Sequence, residues 1–257
     1  MFDHPLGYLQ KALCIVFGFV AFILLWTAAL KVDLISTVLL PWPIEVGRAL
    51  VAMLGTEQFW QDLSSTVWTW LVGVVVGSAV GAFLGVVLGL NRYVWAAVEP
   101  YVEFIRALPS VVLIPLVSLF MGVGAFSRLT ACALVVAVLM MATSGTAIRS
   151  TSAAHLRLAI AWRSSAVQRL FYFQLPAALS HMIVALKAGI PIALIVAVAA
   201  DMLIATDAGI GRIIMDSLAV FDTAKMYAAV LVVGCLGYIA SLFGSRIETW
   251  ALHWSGK

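Results

Sequence analysis

The chain has 257 residues, of which 64% are hydrophobic and 11% charged, with a mean hydropathy of +1.10; a soluble domain averages about 45–50% apolar and about 25% charged residues. That composition excludes a water-soluble enzyme or binding module and makes the bilayer the expected solvent. The net charge of +3 comes from 15 Lys and Arg spread thinly, which fits a positive-inside bias better than a nucleic-acid surface.

A helix needs about 20 apolar residues to cross about 30 Å of hydrocarbon. In chain order, residues 12–30, 67–90, a broken stretch at 103–120, and then 129–148, 177–200 and 226–243 meet that need, which predicts six spans. The start, MFDHPLGYLQK, puts one Lys before the first apolar run without a small-residue cleavage site, so that run is expected to be a retained span. Next, LLPWPIEVGRAL at residues 39–50 holds two prolines around a Trp and then an amphipathic pattern, which suits a turn and a short interfacial helix. In the second span Gly73, Gly77, Gly81, Gly85 and Gly89 recur every fourth residue and form one face without side chains, where another helix can approach closely. Pro109 and Pro115 each remove a backbone donor and are expected to kink or break the third stretch. Such breaks survive at membrane depth where protein or a watery cavity receives the freed backbone groups.

Residues 149–175 carry arginines and no acid. If the amino terminus is cytoplasmic, this segment, Lys11, Arg92, Arg106, Arg246 and Lys257 share one side, while most acids lie on the other. Six spans with both termini cytoplasmic satisfy the positive-inside rule. Glu99, Glu103 and Arg106 are spaced for an ion network on one helix. Lys187 either snorkels to an interface or lines a cavity, and Pro191 is expected to kink the fifth span. Asp201 ends a long apolar run; it is expected to pair with Arg212 or Lys225 or to face the outer mouth.

No catalytic constellation emerges. His4, His155, His181 and His253 have no metal-ligand spacing, no GxxxxGK[ST] loop cradles a nucleotide, and Ser144-Gly145 lacks a partner base. The chain is therefore not expected to be an enzyme or to hold a cofactor or metal of its own. Cys14, Cys132 and Cys235 each sit in an apolar run and read as small buried apolar residues.

Several landmarks, in order, resemble the membrane-spanning permease subunit of binding-protein-dependent bacterial ABC importers, in the taurine, aliphatic sulfonate and nitrate-type branch. Leu40-Pro41-Trp42-Pro43 is similar to that branch's proline-flanked outer loop. Glu99-Pro100, Glu103, Arg106, Pro109, Pro115 and Gly122-Val123-Gly124 resemble its strip of an acid, an arginine and prolines leading into Gly-x-Gly. Ala200-Asp201-Met202-Leu203 followed by Gly209-Ile210-Gly211 is similar to its acid-plus-GxG segment, with aspartate where glutamate is usual. The family's coupling segment, written Glu-Ala-Ala, three residues, Gly, and later Leu-Pro, aligns on Leu175-Pro176 and places Arg157 at the acid, Leu158 and Ala159 at the alanines, and Arg163 at the glycine, with Ser164 and Ser165 next. Since Arg enters a left-handed turn less readily than Gly, the turn is expected to use another residue or another shape.

The resemblance implies an all-α membrane protein of the type I importer permease fold. It implies a single permease domain over residues 1–257, with its core at about 67–248 and a cytoplasmic coupling segment at 149–175. Arg157, Leu158, Ala159, Trp162, Arg163, Ser164 and Ser165 would contact the ATPase; Arg106, Pro109, Pro115, Lys187 and Pro191 would belong to the gate or pathway; Asp201 and Asp207 would meet the binding protein. Implied partners are ABC ATPase subunits carrying ATP and Mg, a periplasmic substrate-binding protein, a second permease copy in a homodimer or heterodimer, and membrane lipid, all at a bacterial inner membrane. The implied solute is a taurine-, sulfonate- or nitrate-like anion. The competing readings are an importer for a vitamin- or pyrimidine-type solute and an ion-coupled secondary transporter, which would show inverted repeats and midplane charges.

Overall fold

The computed structural model describes residues 7–150, 162–204 and 208–253, and no strand occurs among them. Among the described residues nine α-helices follow in order: α1 (Tyr8–Lys31), α2 (Pro43–Leu54), α3 (Glu57–Gly89), α4 (Arg92–Ala107), α5 (Leu113–Met121), α6 (Ala125–Arg149), α7 (Ala166–Leu203), α8 (Ile210–Ala219) and α9 (Thr223–Ala251). Five of them (α1, α3, α6, α7 and α9) are long and apolar enough to cross a membrane. A sixth span is supplied if α4 and the segment Ser110–Met121 count as one, although the two are bent by 96°.

The chain divides into two compact units, the first comprising Met1–Phe59 and Ile213–Leu231. Here α1 is apolar on every side and almost bare, with Leu13 and Phe17 exposed, as a helix solvated by lipid would be. Its Trp26 donates its indole N–H to Pro41 O at 3.0 Å and meets Tyr227 with ring centroids 6.0 Å apart. The turn predicted at residues 39–50 is present: Pro43 opens α2, where a missing N–H costs nothing, and Glu45 Oε2 accepts from Trp42 N at 2.9 Å.

The second unit comprises Trp60–Arg212 and Val232–Lys257. Its central helix is α6, which packs on α4, α5 and α7 and receives the glycine face of α3. A Cβ on Gly73 would lie 2.9 Å from Cβ of Cys132, one on Gly77 2.8 Å from Cβ of Val136, one on Gly81 2.7 Å from Cα of Ala137, and one on Gly85 2.8 Å from Cβ of Ser144. At the end of the stripe, a Cβ on Gly89 would meet the Gly145 carbonyl at 2.9 Å. The four-residue spacing thus becomes backbone-to-backbone packing, the main attraction available to helices in lipid. Gly145 also clears room for the buried indole of Trp95. Trp70 ties α3 to α7 by donating to Ile190 O at 2.8 Å.

Three sequence expectations need correction. The third stretch begins at Arg92, not at residue 103, because the Asn91 side chain caps α4 by accepting from Tyr93 N at 2.9 Å. Pro115 does not break the chain: it lies in the first turn of α5, where its missing N–H would have no partner. Cys132 is buried, but Cys14 and Cys235 are exposed, since apolar residues on outward faces of spans need no core around them.

Candidate functional site

The bend between α4 and α5 shapes the first candidate site. Leu108, preceding Pro109, takes an extended conformation (ψ 138°), as the steric clash with the proline ring demands. Helix α4 therefore ends at Ala107, and a 3-10 turn (Ser110–Val112) leads into α5. Arg106 sits in the last turn of α4 and pairs with Glu103 at 2.7 Å, with both side chains about half exposed; no contact joins Glu99 to the pair. Arg106 lines two cavities. One, of about 90 Å³, is lined by apolar groups of Ile105, Leu108, Leu113, Val136, Leu139 and Ile192. The other, of about 290 Å³, is lined by Thr143, Thr146, Ser150 and His181 along with Ala142 and Ala147.

Of the other pathway candidates, Pro109 marks the bend, while Pro115 and Lys187 line neither cavity. Lys187 is a paired group, bonded to Glu248 at 2.7 Å, and not an unpartnered cavity cation. Pro191 lies inside an unbroken α7 between Ile190 and Ile192; it removes the N–H that would bond the Lys187 carbonyl, and Gly244 of α9 leaves space beside that carbonyl. His181 and Thr146 were not singled out from sequence. The available signal was an ionisable residue inside an apolar run, which in a membrane marks a functional position by default.

A second constellation is buried. Asp201 pairs with Arg128, and its other oxygen accepts from the Thr66 hydroxyl at 2.5 Å. Arg128 also donates to Ala208 O at 2.8 Å and to Ser65 Oγ at 3.0 Å. Beside it, Asp62 accepts from Gly209 N at 2.8 Å and from Arg212 at 3.2 Å, while Thr66 Oγ1 accepts from Ile210 N at 2.9 Å. The two acids and the threonine thus hold the N-terminal turn of α8, where backbone N–H groups concentrate positive charge. This corrects the reading of Asp201: its partner is Arg128 rather than Arg212 or Lys225, and at 2% exposure it offers no surface to a binding protein. Gly209 takes φ +145°, and any Cβ there would strike the Asp201 carboxylate; a Cβ on Gly211 would lie 2.7 Å from Asp201 Cβ. The acid and the two glycines are one packing unit. Asp207 lies outside the described residues.

The third candidate is the coupling segment. Arg157, Leu158 and Ala159 lie outside the described residues. Trp162 is 79% exposed, and Arg163 takes φ +50°, so the left-handed turn expected elsewhere falls on this arginine. An unbranched side chain tolerates that conformation at about 1–2 kcal/mol. Ser165 then starts α7 with a reciprocal cap: its hydroxyl accepts from Gln168 N at 3.2 Å, and Gln168 Oε1 accepts from Ser165 N at 2.9 Å. Leu170–Gln174 forms a π-helical turn within α7, and Phe171 and Tyr172 are exposed on it. Trp162, Ser164, Gln168, Tyr172 and Phe173 line a further cavity.

Residues 73–251 match the profile of the family described as "Binding-protein-dependent transport system inner membrane component". The chain is 26% identical over 239 residues to the taurine transport system permease protein TauC of Escherichia coli (strain K12), covering 90% of this chain and 86% of that protein. It is 23% identical over 200 residues to the bicarbonate transport system permease protein CmpB of Synechococcus elongatus, covering 76% and 70%. Among solved structures, inward-facing MetNI methionine ABC transporter matches with a TM-score of 0.57 at 18% identity, over 74% of this chain and 92% of that one. An amino acid ABC transporter solved with histidines matches with a TM-score of 0.59 at 13% identity, over 80% and 94%. Those two likenesses establish the fold.

Proposed function

The chain belongs to the binding-protein-dependent transport system inner membrane components, the multi-pass permeases of ABC importers, and from that premise we propose that it forms the path for a small solute bearing a compact oxyanion. The observation that carries the solute class is the cavity of about 290 Å³ with Arg106 and His181 on its wall. Guanidinium and imidazole N–H groups suit a sulfonate or carboxylate, and the names of two relatives point to taurine and bicarbonate.

The working unit is a pair of permease chains in the bacterial inner membrane, taken as a homodimer, with both termini and residues 149–175 cytoplasmic. Two separate ATPase subunits supply ATP and Mg, and a periplasmic binding protein delivers the solute. The exposed Trp162, Phe171 and Tyr172 form the ATPase contact together with Leu158 and Ala159. ATP binding shifts the permease between inward- and outward-open states only through its different free energies of interaction with the two. The single permease domain remains our reading of the whole chain.

Two measurements test the reading. A tagged chain extracted in mild detergent should bring down a distinct ATPase. Calorimetry on the binding protein of the same system should find a ligand with a sulfonate, carboxylate or similar oxyanion. A neutral vitamin- or pyrimidine-type ligand would keep the importer reading and remove the oxyanion.

A further inference from the structure

We propose that Arg106 is the selectivity residue of this path, a fixed cation that admits an oxyanion into the polar chamber and bars it from the apolar one until the bend beside Arg106 rearranges. The proposal rests on the permease reading above and assigns a residue and a division of labour within that path.

Arg106 lines both cavities and is the one residue their linings share. On one side the lining carries Thr143, Thr146, Ser150 and His181; on the other it is aliphatic apart from Ser110 and Arg106 itself. A hydrated anion partitions into the first and is refused by the second, as a hydrophobic constriction refuses ions. The donors on the polar side are few. Thr143 and Thr146 already donate to Leu139 O and Ala142 O at 3.0 and 2.9 Å, and Ser150 donates to Ala147 O at 3.1 Å. Arg106 and His181 therefore supply the N–H groups an oxyanion needs.

Glu103 holds one edge of the guanidinium through Nη2 and leaves N–H groups on the rest of the fork. The pair restrains the guanidinium, so that the cation is positioned before the solute arrives. Two residues farther on, the extended Leu108 and Pro109 bend the chain by 96°. Any change in that bend carries Arg106 with it, because the residue belongs to the last turn of α4. A sulfonate and a lipid phosphate share the chemistry that would occupy this fork, so the test separates them.

The test is reactivity at Thr146→Cys, a position exposed on the polar chamber, in the assembled importer with Cys14, Cys132 and Cys235 replaced by alanine. The probes are a sulfonate-bearing methanethiosulfonate and its trimethylammonium counterpart, in phosphatidylcholine vesicles with and without added phosphatidylglycerol. The anionic reagent should label faster, by on the order of tenfold over the cationic one after normalising to a free thiol. Arg106→Gln should bring the ratio near one, Arg106→Lys should retain most of it, and taurine should protect the thiol. If Arg106→Gln fails to assemble, His181→Gln must lower the ratio in its place. A ratio near one in the parent, a ratio indifferent to both substitutions, or protection that follows anionic lipid and not taurine would overturn the proposal. Labelling requires neither ATP nor turnover, so its failure is distinguishable from failure of the importer reading, which ATP-driven uptake reports.

Discussion

Asp201 and Arg128 are buried together and pair their charges out of reach of bulk solvent. Removing one partner leaves an uncompensated charge, and breaking such a pair costs about 3–5 kcal/mol. Asp201→Asn and Arg128→Met should each lower the unfolding temperature in lipid or detergent strongly, while Arg128→Met combined with Asp201→Leu should recover much of the loss. Additive losses in the double variant would show that the two residues do not act as a pair. From sequence, Asp201 was legible as a residue that had to be explained, but its partner was not. Arg128 and Thr66 are 73 and 135 positions away, and helical periodicity assigns a residue to a face without saying which neighbour that face meets. The GxG after Asp201 was legible as a turn; that its glycines clear space for the carboxylate emerged only from the packing.

Helices α3 and α6 meet where side chains are absent. Gly81 faces the backbone of Ala137, whereas Gly237 of α9 has nothing within 4 Å of an added Cβ. Gly81→Ala should therefore destabilise the protein by about 1–3 kcal/mol through overpacking, and Gly237→Ala should be neutral or slightly stabilising, as a Gly-to-Ala change in a helix usually is. Thermal unfolding of the two variants side by side decides it. Long spans were readable because lipid demands long apolar runs, and the glycine stripe was readable because its period matches the helix. Helix α4 was read short because Arg92 and Glu99 interrupt its hydrophobicity before residue 103, so a run-length criterion misses what the Asn91 cap declares. At the coupling segment, replacing Leu158, Ala159 and Trp162 together by aspartate should abolish stimulation of ATPase activity by loaded binding protein while leaving the membrane helices folded. Stimulation within twofold of the parent (about 0.4 kcal/mol) would remove this segment as the ATPase contact.

At the scale of the whole molecule, membership in the family makes this chain the inner membrane component of an importer, and the proposed reading puts ATP hydrolysis on a separate subunit. On that reading this chain supplies a path, at the bend and the cavities lined by Arg106, and a place for force to enter, at the basic segment. The central claim is that transport through this chain is driven by ATP on a partner and fed by a binding protein. Its most direct test is uptake of isotope-labelled taurine, and of whichever oxyanion the binding protein selects, into proteoliposomes holding the permease and ATPase with binding protein added outside. Uptake should require both ATP within and binding protein without, and should stop when the ATPase is made hydrolysis-dead. Uptake by this chain alone, driven by an ion gradient in the absence of ATP, would contradict it.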